Sequence, residues 1–473
     1  MTKKITIIGA GPGGYIAAIR AAQLGADVTV IEQDNVGGTC LNQGCIPSKI
    51  MKKSADILNL FQRSEEFGIV INDQACLDVK RLMTRKENII QNQRKGILTL
   101  LKKYHIQYIR GYGEIKGEKH VIVKSEDSTI QDIYWDSLII ATGSKPLNIP
   151  AFPFDGKQIL SSNDALNIQE IPISMVIVGG GVIGCEFAFI FASFGTKVTV
   201  IEALPRLLPL PSVDESCSAI IQREMKKRNI EFMINHTVKD VEKNEKNLKI
   251  RISPSQLIQK EESPLTIEAE KMLVCIGRSP NTLNIGLELL KIQKDSKGWI
   301  QVNEKMETNI PGVYAVGDLL GPSKIMLAHV ASREGLIAAE NAMEGNLTMQ
   351  YERVPGVIFT MPEVANIGLT EIQAKEQGYP VRAESVLFRN IGKSHVIGEI
   401  AGEAKIISDS ENEKILGIHI TGTNAGELIA EASLVMQMGG TVNDLAETIH
   451  AHPTLSEIMT EASFKSMGKG IHG

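Results

Sequence analysis

Residues 5–32 read ITIIGAGPGGYIAAIRAAQLGADVTVIE, and residues 175–202 read MVIVGGGVIGCEFAFIFASFGTKVTVIE. The two stretches lie 170 positions apart and align without a gap. Gly9, Gly11 and Gly14 match Gly179, Gly181 and Gly184; Ala18 matches Ala188, Gly25 matches Gly195, and Glu32 matches Glu202. In each copy a β-branched apolar run predicts a strand. G-x-G-x-x-G predicts a tight turn opening a helix, and VTVIE predicts the next strand, closed by a carboxylate. Glycines at those places let the backbone approach a pyrophosphate, and the amide-rich helix start favours its charge. The terminal acid suits a ribose diol. One such turn is weak evidence; two complete ones predict two dinucleotide sites. Glu202 in the second repels a 2′-phosphate and favours NAD over NADP. Arg206 is the one base nearby.

Outward from this repeat, 473 residues predict two to four domains. A 43% hydrophobic and 22% charged composition is that of an ordinary globular protein, and a net charge of −5 without a long basic block excludes a nucleic-acid binder. No apolar run reaches spanning length, and glycines interrupt the N-terminal one, so the cytoplasm is the expected location. The fold class is α/β: two Rossmann-like dinucleotide-binding domains and a C-terminal α+β domain. The expected boundaries are 1–149 for the first dinucleotide domain, 150–272 for the second, 273–350 for a return to the first, and 351–473 for the last. Residues 77–104 predict a long surface helix, 215–229 a second helix, and 231–272 meander strands. IPGVYAVGDLLG, 310–321, predicts another strand ending in an acid, Asp318, ahead of a helix at LAHVASREGLIAAENAM. Strand-like runs at 354–360, 382–389 and 414–420 alternate with helical AGELIAEASLVMQMG, and the glycines of MGKGIHG predict a frayed end.

Cys40 and Cys45 stand five apart in GGTCLNQGCIPSK, residues 37–49. On one straight helix they would point about 140° apart, so a disulfide between them needs a bend, which Asn42 and Gly44 can supply. Pro47 suits a first helical turn. Cys40 is placed before the helix and Cys45 near its start, where amides stabilise a thiolate; Lys49 can add its charge. The open alternatives are a redox pair or two separate thiols. A metal site lacks a second ligand pair. Cys76, Cys185, Cys217 and Cys275 read as buried or inert. TIHAHPTLSEIMTEA, 448–462, offers a base: Pro453 keeps His452 out of the helical region. Glu457 either caps a helix starting near Thr454 or orients the His452 ring. His450 reads as an alternative base or a packing residue.

Together GGTCLNQGCIPSK, ATGSKP, CIGRSPN, VYAVGD, NAGELIAE and HAHPTLSE resemble the pyridine nucleotide-disulfide oxidoreductases, in particular their dihydrolipoamide dehydrogenases, over essentially the whole chain. The resemblance implies FAD in the first site and NAD in the second. It implies FAD contacts at Gly9, Gly11, Gly14, Glu32 and Asp318, with Lys49 by the flavin and paired with Glu186. Further cofactor contacts are implied at Gly113, Thr142, Gly143, Gly277, Arg278 and Ala328. NAD would meet Gly179, Gly181, Gly184 and Glu202. Cys40 would be the interchange thiol and Cys45 the flavin-facing one. His452, oriented by Glu457, would be the base, supplied by the partner of a homodimer. The implied activity oxidises dihydrolipoamide carried on lipoyl domains of 2-oxo acid dehydrogenase complexes or the glycine cleavage system, and reduces NAD+. A reductase of another disulfide, glutathione for example, is the rival. PSK after Cys45 fits lipoamide and mercury-reducing relatives, and no vicinal cysteines follow Cys275. Gln43 departs from the small apolar residue common at its place.

Overall fold

The computed structural model describes residues 2–72, 75–255 and 264–472. The chain divides into two compact units, one formed by Met1–Met51, Lys80–Leu147 and Gly277–Tyr351, the other by Lys52–Val79, Asn148–Ile276 and Glu352–Gly473.

In the first unit, strands run in the order Val313–Ala315, Ser137–Ile140, Lys4–Ile8, Asp27–Glu32, Gln107–Arg110, all parallel. Lys4–Ile8 is the topological switch, where a parallel sheet opens a crevice at its carboxyl end. The helix Pro12–Gln23 leaves that end through the first glycine turn. It packs against the helix Ala328–Ala342. A side chain at Gly335 would overlap the Gly13 carbonyl, so the crossing requires a glycine there. A three-stranded antiparallel sheet, Tyr112–Gly117, His120–Lys124 and Ile130–Tyr134, completes the unit with the 25-residue helix Val79–Lys103.

In the second unit, the strands Glu231–Met233, Lys197–Ile201, Ser174–Val178, Lys271–Val274 and Ile159–Leu160 form another parallel sheet. The expected meander over 231–272 is only its middle: His236–Lys243, Leu248–Pro254 and Leu265–Ala269 pair antiparallel, while the flanking strands join the parallel sheet. Residues 256–263 of that span lie outside the described ones. Beyond Glu352 an antiparallel sheet runs Gly356–Ile358, Glu363–Gly368, Ile415–Gly422, Glu403–Asp409, Val381–Leu387. Helices Ala425–Gln437 and Glu457–Ser466 cover it over a core of Ile367, Phe388, Ile406, Ile418, Ile420 and Ile458. The expected frayed end is instead tied down: the His472 amide donates to Glu461 and its carbonyl accepts from Asn390. No helix among the described residues is long and apolar enough to cross a membrane.

Candidate active site

The two glycine turns are built alike. The Glu32 carboxylate accepts from the amides of Ala10 (2.7 Å) and Asp34 (2.9 Å). Glu202 accepts from Gly180 (2.6 Å) and Leu204 (2.8 Å), the positions 170 further on. Burial pushes the Glu32 carboxyl above its ordinary value, against the pull of those amides. Gly9 and Gly179 sit at φ +103°, a conformation side chains avoid. A Cβ at Gly14 or Gly184 would overlap the carbonyl of Gly9 or Gly179.

Gly11 and Gly181 are different. Their φ values, −69° and −75°, suit any residue. A Cβ at Gly181 would meet nothing within 4 Å, and one at Gly11 only Gly38 Cα, at 3.8 Å. The protein itself has room for a side chain at both, so these glycines serve something that approaches from outside. The helices Pro12–Gln23 and Val182–Ser193 both start here, with no side-chain cap and no acid in the first turn. Their leading amides are therefore open to an anion. Both turns fit a pyrophosphate. In the second, the Arg206 guanidinium is committed to the carbonyls of Leu208, Leu210 and Val213 and the hydroxyl of Ser218. Arg206 is therefore not free to balance a 2′-phosphate against Glu202.

Cys40 lies before the helix Cys45–Gln62, as the spacing predicted, but within a short helix of its own, Gly38–Gln43. Gly44 breaks it at φ −152°, ψ −112°, and Cys45 begins the helix Cys45–Gln62. Gly44 leaves little room, since a Cβ there would stand 3.0 Å from the Thr39 carbonyl. Asn42 fixes the bend, donating to the carbonyls of Val36 and Gly38 and accepting from Arg94 (2.6 Å). Two helices meeting at this break bring the sulfurs into a thiol–thiol hydrogen bond. That bond raises the Cys40 thiol far above its ordinary value, helped by burial and opposed by Lys49. Cys45, at the start of the helix Cys45–Gln62, is the thiol placed where helix amides favour a thiolate. Both are free thiols.

In the same unit Asp318 acts electrostatically on Cys40 and Arg278 on Cys45. Ser144 Oγ donates to Asp318 (2.7 Å) and accepts from Arg278 Nε (2.6 Å). Burial lowers the Arg278 guanidinium while Asp318 and Cys45 oppose it. Thr142 and Asn281 exchange side-chain-to-carbonyl bonds of 2.8 and 2.9 Å, and Asn281 N donates to Gly143 O. Gly277 accounts for the turn of CIGRSPN, at φ +128°. Gly113 is packed by the strand ends, since a Cβ there would stand 3.2 Å from Ile8 and Ile31. Ala328 opens the helix Ala328–Ala342, whose first turn has neither an acid nor a side-chain cap. Lys49 Nζ donates to Ser48 Oγ (3.3 Å). Glu186, in the second unit, is buried and accepts from the Phe359 amide (2.9 Å). Asn42 was read as part of the bend, Ser144 and Asn281 only as letters of their motifs, and Arg94, the partner of Asn42, carried no local signal.

In the C-terminal sheet region, His452 Nδ1 bonds Glu457 Oε1 at 2.8 Å, and 76% of the His452 side chain is accessible. Glu457 Oε2 accepts from the Thr454 amide (2.9 Å). The ring-orienting reading of Glu457 therefore holds; the capping box expected at Thr454 does not form, since the helix begins at Glu457 with Ser456 before it and no side-chain cap. Burial raises the Glu457 carboxyl, but the His452 and Thr454 bonds outweigh it and hold it below its ordinary value. Nε2 of His452 has no hydrogen-bond partner among the described residues. His450 is enclosed, bonded to Glu431 (2.7 Å) and Thr460 (2.6 Å). Of the remaining cysteines, Cys185 and Cys217 are buried, Cys275 partly so, and Cys76 is exposed.

This geometry has known counterparts. Residues 3–335 match the family model described as pyridine nucleotide-disulphide oxidoreductase, and 354–463 match its dimerisation domain. The chain is 39% identical to the dihydrolipoyl dehydrogenase of Thermus scotoductus, covering all of this chain and 99% of the relative. It is 38% identical to that of Geobacillus stearothermophilus, over 98% and 96%. It superposes on LpdA from Mycobacterium tuberculosis with a TM-score of 0.90 at 26% identity, covering 98% and 99% of the two chains. With the HOCl-induced flavoprotein disulfide reductase RclA from Escherichia coli, as its Cu(II) complex, the TM-score is 0.85 at 25% identity, over 98% and 99%. Two alike glycine turns, a sulfur pair at a helix break and a matching dimerisation domain have one common explanation: the chain belongs to the pyridine nucleotide-disulphide oxidoreductase family.

Proposed function

We propose that the chain is an NAD-dependent dihydrolipoyl dehydrogenase, oxidising dihydrolipoamide through Cys40 and Cys45. The hydrogen-bonded sulfur pair beside the first glycine turn carries the reading. Residues 1–149 and 273–350 form the FAD domain, 150–272 the NAD domain and 351–473 the interface of a cytoplasmic homodimer. Lipoyl domains of 2-oxo acid dehydrogenase complexes or of glycine cleavage deliver the substrate.

Gly9, Gly11, Gly14, Glu32 and Asp318 hold FAD; Gly179, Gly181, Gly184 and Glu202 hold NAD. When bound, FAD accepts the two electrons of the cysteine pair and NAD+ takes them up as a hydride. The chain's own residues do the rest. His452 of the partner subunit accepts a substrate thiol proton at Nε2, its ring held by the Glu457 bond at Nδ1. The substrate thiolate attacks the Cys40 sulfur of the oxidised pair. The Cys40–Cys45 bond breaks, and Cys45 leaves as a thiolate stabilised by its helix start and Lys49. The second substrate sulfur displaces Cys40, closing the lipoyl disulfide, and Cys40 takes up a proton. The substrate loses two electrons and the cysteine pair gains them. The Arg278 guanidinium interacts electrostatically with Cys45 and favours its thiolate.

The test is initial-rate NAD+ reduction with dihydrolipoamide, against NADPH-driven reduction of glutathione disulfide. The reading requires the first to exceed the second at least about a thousandfold, a difference of about 4 kcal/mol in the barrier. Comparable rates overturn it.

A further inference from the structure

Asp318 is gripped on its carboxylate by Ser144 and Arg278. A second grip acts on its backbone. The strand Val313–Ala315 ends at Val316, and Gly317, at φ +78°, turns the chain into the short helix Gly317–Leu320. The Gly317 amide, immediately before Asp318, donates to Glu334 Oε2 at 2.6 Å. Glu334 lies on the helix Ala328–Ala342 and is 1% exposed. Its other oxygen accepts from the Tyr351 hydroxyl at 2.6 Å. Lys324 Nζ lies 4.7 Å from the centre of the Tyr351 ring. A fully buried carboxylate with no direct cation is costly, and the reaction steps above make no use of it.

Resting on the flavin reading of the first site, we propose that Glu334 is a positioning residue for FAD: its carboxylate locks the Gly317–Asp318 turn that presents Asp318 to the cofactor, and Tyr351 is its proton partner. An ionised Glu334 accepts both bonds. A neutral one must turn one oxygen into a donor. Tyr351 can reverse and accept that proton; the Gly317 amide cannot reverse and loses the charge-assisted part of its bond. The titratable and charged groups facing Glu334 are Tyr351, Asp318 and Lys324. Burial pushes the Glu334 carboxyl up to about 7; Tyr351, the Gly317 amide and Lys324 pull it down and Asp318 adds to the rise. The lock therefore tightens as pH rises through neutrality.

The experiment follows release of FAD from the holoenzyme by flavin fluorescence, at about pH 6, 7 and 8. Wild-type release speeds up several-fold as pH falls. Glu334→Gln keeps the shape and a neutral acceptor, so it releases FAD about tenfold faster at pH 8 and with a flat profile. Tyr351→Phe removes a bond that favours the ionised form; its profile keeps the wild-type limit at high pH but its midpoint moves to higher pH. Wild-type rates and profile in both variants overturn the inference and leave the function intact. A wild-type protein that binds no FAD overturns the functional reading first, and this inference with it.

Discussion

The two glycine turns share their hydrogen bonds to within 0.1 Å at the closing glutamate, yet the chain around them differs. After Glu32 it doubles back at once, so that Gly38 lies over Gly11. A Cβ on Gly38 would stand 2.6 Å from Gly11 Cα. The cysteine helices follow directly. After Glu202 the chain also returns, the Leu208 amide donating to the Gly180 carbonyl as Gly37 does to Ala10, but it stays clear of Gly181: nothing stands within 4 Å of where a side chain there would begin. One nucleotide turn is covered by its own sequel and the other is left open. That is what a resident cofactor and an exchanging cosubstrate each require: the first must be enclosed against the sulfur pair, and the second must leave after every turnover.

The widest break in the comparison is the sulfur pair, which only the covered turn possesses. Cys40→Ser or Cys45→Ser should each cut dihydrolipoamide oxidation by about a thousandfold or more, because no other nucleophile of that kind replaces a lost sulfur. FAD content and thermal melting should stay as in the wild type. Activity surviving either change would remove the reason for covering the first turn. Next comes the close approach that both turns share. Gly14→Ala and Gly184→Ala place a methyl group into a backbone carbonyl in each, at a cost of about 3 kcal/mol. The consequences should separate: Gly14→Ala protein should purify without flavin, while Gly184→Ala should keep its flavin and lose NAD+ saturation. Flavin absorbance and NAD+ titration read the two. If both variants lost the same cofactor, the turns would not be assigned as proposed.

Much of this was legible before any coordinates, for a local reason. A turn that must bring a backbone close to itself needs glycine at fixed offsets, and the repeat announced that twice. The bend between Cys40 and Cys45 was legible because a straight helix cannot join them. What stayed hidden depends on distant partners. Arg206 looked available for a phosphate until the 208–218 segment wrapped its guanidinium. Arg94 reaches Asn42 across 52 positions, and nothing local marks such a pair. The strands Glu363–Gly368 and Glu403–Asp409 were missed because they lie inside a sheet covered on both faces. Their residues are buried on both faces while Asn366 and Lys405 break any clean apolar pattern. Glu457 was readable as the partner of His452 because the two lie five positions apart, but the start of its helix at Glu457 itself was not.

The open turn's domain differs from the covered one also in how it is anchored within its unit. Asp214, 5% exposed, caps the helix Glu215–Lys227 and bonds Lys405 of the C-terminal sheet at 3.1 Å. Burial raises its carboxyl, but the Ser216 amide and Lys405 outweigh this and hold it at about 2. The folded value lies below the unfolded one, near 3.9. The stabilisation is therefore complete above the unfolded value and is lost as pH falls from there towards 2. Asp214→Asn should cost about 2 kcal/mol at pH 7, with the deficit closing in urea titrations near pH 2. A deficit that persists at low pH would show that the anchor works through shape rather than charge.

The smallest expected effect is the sharpest test of the open turn. Gly181 needs no glycine on the protein's own account: its φ of −75° suits alanine, and the added methyl meets nothing within 4 Å. Replacing it should leave melting unchanged, or raise it slightly by narrowing the unfolded ensemble. The methyl instead occupies the space through which a pyrophosphate reaches the amides at the start of Val182–Ser193. Gly181→Ala should therefore raise KM for NAD+ about tenfold, close to 1.4 kcal/mol, with FAD content untouched. The matching change in the covered turn, Gly11→Ala, meets Gly38 Cα at an ordinary 3.8 Å and should weaken retention of the flavin instead. An unchanged KM in Gly181→Ala would mean that the pyrophosphate does not pass over Gly181, and that the open space there serves no nucleotide.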